Sequence, residues 1–157
     1  MLQKAHAVVS CSRDMFQFRH HRPMYGGMSL TPTPTEKLAR ARSDLRLGLP
    51  IVLLGDGRAM LCAAVEALDD TRLASLRAEG APELALTARR AETLKARAYD
   101  GDLARIAVPA DADCAWLEAV ADPADDLRMP MKGPLASLRD GSADLHPIGI
   151  SQAKSAQ

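Results

Sequence analysis

The stretch Ile51–Thr87, IVLLGDGRAMLCAAVEALDDTRLASLRAEGAPELALT, switches its apolar period several times, and those switches decide the fold class. IVLL (51–54) is a continuous apolar run too short for a helix, so it reads as a buried strand. GDGR then supplies a turn. AMLCAAVEA (59–67) reads as a second strand, although its period alone also fits a buried helix. DDTRLASLRAEG opens on an Asp cap and stops at Gly80, which puts Leu73 and Leu76 on the inward face of a helix. ELALT (83–87) returns to strand.

Working outward, TPTE places Thr33 at an N-cap, Pro34 at the first helical position and Glu36 at the third. A helix over Thr35–Leu47 follows, with Leu38, Ala39, Ala41 and Leu45 as its apolar stripe, Gly48 as its stop and Pro50 beyond. On the other side, Thr87 caps a helix whose Ala88, Ala91, Leu94 and Ala98 share one face. LARIAVP (103–109) is a fourth strand. DADCAWLEAVAD forms a helix capped at Asp111 or Asp113 that buries Ala115, Trp116, Ala119 and Val120. PADDLRMPMKGP is a loop, and residues 141–157 carry weak signals. Residues 1–29 hold both phenylalanines and three of the four histidines with no clear period. They read as a disordered leader, with Met28 a better start point than Met1 and an Arg-rich targeting peptide as the alternative. Alternating strands and helices of this size predict one α/β or α+β domain over residues 30–140. The order of the strands does not follow from the sequence.

A chain of 157 residues can bury a core without metal or disulfide staples. Lys plus Arg equals Asp plus Glu, so no net field draws the chain to nucleic acid or to an anionic membrane. Only 3% of residues are aromatic, which argues against base-stacking platforms. Cys11, Cys62 and Cys114 are far apart and odd in number, as expected of reduced thiols in a cytoplasmic protein.

Five chemistries come up for the side chains. The basic span Leu86–Ile106 holds Arg89, Arg90, Lys95, Arg97 and Arg105; the first four read as a solvated helix face, with Glu92 pairing Lys95, unless Arg89 or Arg90 meets a phosphate at the helix start. GDGRAM offers G-x-G but lacks the third glycine of a dinucleotide loop, so a tight hairpin is the better reading, with Arg58 a weaker anion contact. His20 and His21 are adjacent, and His6 and His146 are isolated, so no zinc ligand set is visible. No G-x-S-x-G and no Cys/His pair signals a nucleophile. The acid pair Asp69–Asp70 reads as a helix cap and Asp125–Asp126 as a solvated loop, which leaves Asp56 as a lone carboxylate in a turn.

Five phrases carry a family resemblance: ARSDLRLGLPIVL (41–53), AVEALDDTRLASLR (64–77), LALTARRAETLKARAYDGDLARIAVPADAD (84–113), WLEAVADPADDL (116–127) and PMKGPL (130–135). Together they resemble the amino-terminal region of bacterial GTP cyclohydrolase II of the alphaproteobacterial type, from about Leu30 onward. That region is in turn similar to 3,4-dihydroxy-2-butanone 4-phosphate synthase. The resemblance implies a synthase-like single domain, with a mixed sheet flanked by helices, in the riboflavin pathway. It implies no synthase activity, because the acidic metal-binding loop is reduced to Asp56 and Arg58 and no R-x-G-H-T-E motif follows. The family's zinc and its catalytic residues sit in a later domain, which the three cysteines here do not match. The expectation is therefore a non-catalytic module with no cofactor of its own, whose tail (141–157) would lead into that later domain. Self-association or docking onto a separate catalytic chain is implied, as is binding of a sugar phosphate or nucleotide near Arg58, Arg89 or Arg90. Neither nucleic acid nor membrane is an expected partner.

Overall fold

The computed structural model describes residues 7–14, 30–55 and 57–157. In chain order the elements are strand β1 (Ala7–Asp14), helix α1 (Pro34–Arg46), strands β2 (Ile51–Gly55) and β3 (Arg58–Ala64), helix α2 (Asp70–Glu79), strand β4 (Glu83–Thr87), helix α3 (Ala88–Thr93), strand β5 (Leu103–Ala107), and helices α4 (Cys114–Ala121) and α5 (His146–Ala156). Single 3-10 turns cover Val65–Ala67 and Pro123–Asp126. The five strands form one sheet in the order β2-β3-β1-β4-β5.

The architecture is α+β, and every strand pairing in the sheet is antiparallel. The mixed sheet expected from the resemblance is not present. Its absence follows from the local connections: β2 and β3 are joined by a hairpin at Gly55–Arg58, and β5 folds back on β4 through α3 rather than crossing over.

The larger surprise is β1, which lies inside the segment expected to be a leader and occupies the centre of the sheet. Val8–Asp14 pair with Arg58–Ala64 on one side, and Ala7–Ser10 pair with Glu83–Leu86 on the other. A strand buried on both faces has no polar side and hence no alternation. Ala7, Val8, Val9 and Ser10 are all 0% exposed, and their small size leaves room for helices above and below. The rest of that segment, with His6, His20, His21 and Met28, lies outside the described residues.

Two helical layers cover the sheet. Val8, Cys62 and Ala85 face Leu45 of α1 and Ala153 and Ala156 of α5. Val9, Leu84, Leu86 and Ile106 face Leu73 and Leu76 of α2 and Leu117 and Val120 of α4. The tail read as featureless is thus a packed helix. Small residues let it approach closely: a Cβ on Gly149 would stand 2.9 Å from the Cys62 sulfur. In α4 the buried set is Cys114, Leu117, Ala119, Val120 and Ala121, whereas Ala115 is exposed and Trp116 half-buried. Asp113 rather than Asp111 is the cap, and this sets the helix phase that turns Leu117 inward.

The predicted α1 cap is present, with the Thr33 and Glu36 side chains bonding reciprocally. α1 ends in a Schellman motif: Gly48 at φ 73 donates to the Leu45 carbonyl, and Leu49 N–H donates to that of Asp44. At the outer edge, β2 turns Ile51 and Leu53 inward and leaves Val52 57% and Leu54 60% exposed. Among the described residues, no helix is long and apolar enough to cross a membrane.

Candidate functional site

Arg58, Arg89 and Arg90 do not share a site. Arg58 opens β3 opposite Asp14, whereas Arg89 and Arg90 follow β4, whose Leu86 lies opposite Ala7. The length of β1 separates them, about 25 Å at roughly 3.3 Å per residue. Arg58 and Arg89 are exposed. Asp56, the carboxylate of the hairpin, lies outside the described residues.

Arg90 is 3% exposed and engaged on all sides. Its guanidinium donates to the carbonyls of Val120 (2.7 Å), Ala119 (3.1 Å) and Asp122 (3.2 Å), closing the C-terminal end of α4. It also grips Asp126 in bidentate fashion, Nη1 to Oδ2 and Nη2 to Oδ1, both at 2.7 Å. The Lys132 ammonium, itself 8% exposed, donates to the same Asp126 carboxylate. Hydrogen bonding to Arg90 holds the Asp126 carboxyl at about 2, against the usual carboxylate range. The acid pair read as loop solvation is therefore, at Asp126, the anchor of a buried ion cluster.

Asp126 and Lys132 of this cluster line a cleft of about 590 Å³, with Arg90 buried behind them. Thr93, Leu94, Lys95 and the loop Pro130–Leu135 make up the rest of its lining. The basic run is not one long helix. α3 stops at Thr93, so Ala98 is exposed beyond its end and the pairing expected between Glu92 and Lys95 has no helix to carry it. The stop is a second Schellman motif: Lys95 N–H donates to the Glu92 carbonyl and Ala96 N–H to that of Ala91. The position that is Gly48 in α1 is Lys95 here, at φ 57. Sequence reading misses this stop because its usual mark, glycine, is missing.

A second polar cluster is buried between the sheet and α5. The Ser10 hydroxyl lies 3.0 Å from His146 Nε2, and Glu83 Oε2 lies 3.3 Å from the same nitrogen. Arg105 bonds Glu83 at 3.4 Å and Asp100 at 2.9 Å. Serine, histidine and glutamate invite comparison with a hydrolytic triad, but the geometry rejects it. A triad needs the two ring nitrogens to serve different partners. Here Ser10 and Glu83 share Nε2, while Nδ1 is buried without a hydrogen-bond partner. Ser10 is 0% and His146 1% exposed, so no substrate reaches them. The cluster pins α5 onto β1 and β4. One sequence signal could have exposed it: Arg105 is a charge at an inward position of an apolar strand.

The other candidates are structural as well. Asp69 caps α2 through Arg72 N–H, and Asp70 accepts from Cys114 N–H at 2.8 Å, tying α2 to α4. Cys11, Cys62 and Cys114 are buried, and none of them is in a disulfide. Burial pushes the Cys62 and Cys114 thiols up to about 12, which leaves them protonated and unreactive. Among the described residues, no group of three His, Cys, Asp or Glu side chains is placed to hold a metal ion.

Compared with known proteins, the chain matches no family model, no curated protein and no solved structure.

Proposed function

We propose that this chain is a non-catalytic binding module of the kind that forms the amino-terminal region of GTP cyclohydrolase II, working in riboflavin synthesis through the cleft beside α3. One observation carries the reading. Arg90, Asp126 and Lys132 come from three of the five separate phrases on which the resemblance rests, and they meet in a single ion cluster whose Asp126 and Lys132 line the cleft. Segments with no common purpose have no reason to converge on one concave surface. On the same reading the fold descends from a synthase-like layout whose acidic loop has shrunk to the hairpin Gly55–Arg58, and cysteines outside any disulfide suit a cytoplasmic setting.

The purified chain is expected to give no turnover of GTP with zinc or magnesium present, and measurable ring opening would sink the non-catalytic part. GTP or ribulose 5-phosphate is expected to raise the melting temperature saturably, because a ligand bound only by the folded state stabilises it. A flat response to both would remove the binding role.

A second reading, association through the β2 edge, is favoured by the exposed Val52 and Leu54 on a strand that, among the described residues, pairs only with β3. The occupant it names is a second copy, paired edge to edge about a two-fold axis. Light scattering should then show a dimer that Leu54→Lys dissociates. A monomer at all concentrations would rule it out.

A further inference from the structure

We infer that α5 is a latch: it lifts from the sheet as one unit while the rest of the fold stays closed, and in lifting it uncovers Cys62.

The first argument is what α5 buries. Its inward residues are His146, Gly149, Ala153 and Ala156, whereas α2 buries Leu73 and Leu76, and α4 buries Leu117 and Val120. Hydrophobic stabilisation scales with the apolar area removed from water, and glycine and alanine remove little. The larger Ile148 of α5 is 48% exposed.

The second argument concerns polar atoms and does not depend on area. Among the described residues, two buried side-chain polar atoms lack a hydrogen-bond partner, His146 Nδ1 and Gln152 Oε1, and both belong to α5. Each carries the desolvation cost of a buried group left unbonded, and each regains water when the helix lifts. The ties that hold the latch shut are few. His146 Nε2 meets Ser10 at 3.0 Å and Glu83 at 3.3 Å, and Arg46 Nε donates to the Ala156 carbonyl at 2.7 Å. Elements with little buried apolar contact open below the free energy of global unfolding.

Cys62 is the group that this motion releases. It lies across from Ser10 on the neighbouring strand, directly beneath Gly149. It is 0% exposed while the helix is down. With the helix lifted, its thiol stands in water beside the Ser10 hydroxyl.

The test is amide exchange and thiol labelling of the intact chain across sub-denaturing urea. Amides from Gly149 to Lys154 should share one opening, at least about tenfold more populated than that of the β1–β4 amides and with a weaker urea dependence. Cys62 should react through the same opening, with the same urea dependence. Fraying from the free end would instead give a gradient from Ala156 inward and leave Cys62, beneath the first half of the helix, unreactive; that result overturns the inference. Gly149→Ala, whose methyl meets the Cys62 sulfur, should speed Cys62 labelling about tenfold, and Gln152→Met, which removes an unbonded oxygen, should slow it about tenfold. If either variant moves the Cys62 rate no more than it moves exchange of the β1–β4 amides, or if Cys62 reacts only as the whole protein unfolds, there is no latch.

Discussion

Replacing Lys95 by glycine should make the protein more stable. Lys95 sits at φ 57 in the turn that ends α3. An L-residue in the left-handed region costs roughly 1–2 kcal/mol, and glycine escapes that cost. Glycine also has more freedom to lose on folding, about 0.5–1 kcal/mol. The net gain is about 0.5–1 kcal/mol. For a domain of this size each kcal/mol moves the melting temperature by roughly 2–4 °C, so a rise of about 1–4 °C is expected. Lys95→Ala is the control, since alanine removes the ammonium but keeps the steric cost. Differential scanning calorimetry should place Lys95→Gly above both wild type and Lys95→Ala. If Lys95→Gly melts no higher than Lys95→Ala, the backbone argument is wrong.

Arg90→Met should cost about 3–5 kcal/mol, because it strands Asp126 and three carbonyls at the end of α4. Exposed Arg89→Met should cost under about 0.5 kcal/mol, and similar urea midpoints for the two would refute this account of Arg90. The Asp126 carboxyl is depressed to about 2, so its contribution is present above about 4 and lost as pH falls towards 2. Asp126→Asn should therefore flatten the acid limb of the stability profile. The Cys62 and Cys114 thiols are raised to about 12, so their contribution is present below about 8.5 and lost as pH climbs towards 12. A thiol reagent at pH 8 should label both far more slowly than an exposed thiol, and rapid labelling in the native state would contradict their burial. Gly149→Ala should destabilise by about 1–2 kcal/mol, since the new methyl meets Cys62 at 2.9 Å. Cys62→Ala should recover part of that loss in the double variant, and strict additivity would show that the contact is not the cause.

Where the chain marks its own boundaries, the sequence is readable. Thr33, Asp69, Thr87 and Gly48 each announce a helix end through a side chain or a missing one, and the structure has those ends. IVLL and ELALT read as strands because turn residues bracket them. Three things were hidden, each for a separate reason. The strand β1 runs AVVSCSRD, three apolar residues followed by a mixed polar stretch, so it shows no apolar period. The helix α5 packs through Gly149, Ala153 and Ala156, whose surfaces carry little hydrophobic signal. The end of α3 lacks the glycine that marks such turns. The candidate site was half legible. Arg90 stood out as a charge in a basic run, but its partners lie about 30–40 residues away in sequence. Charge patterning sees neighbours within a helix and not across a fold.

The central place of β1 also sets an order of events during synthesis. Asp14 waits for Arg58, 44 residues later in the chain, before it can pair, and Ala7 waits for Leu86, 79 residues later. At roughly 5–20 residues per second, the first strand made spends several seconds outside the ribosome with its backbone unsatisfied. Meanwhile β2 and β3 can close as a local hairpin, and β4 and β5 follow as a second. Neither half bonds the other, because β1 alone lies between them. Of the five strands the earliest made is thus the last to be fitted, and until it is in place the facing edges of β3 and β4 stay open to a chaperone or to another nascent chain.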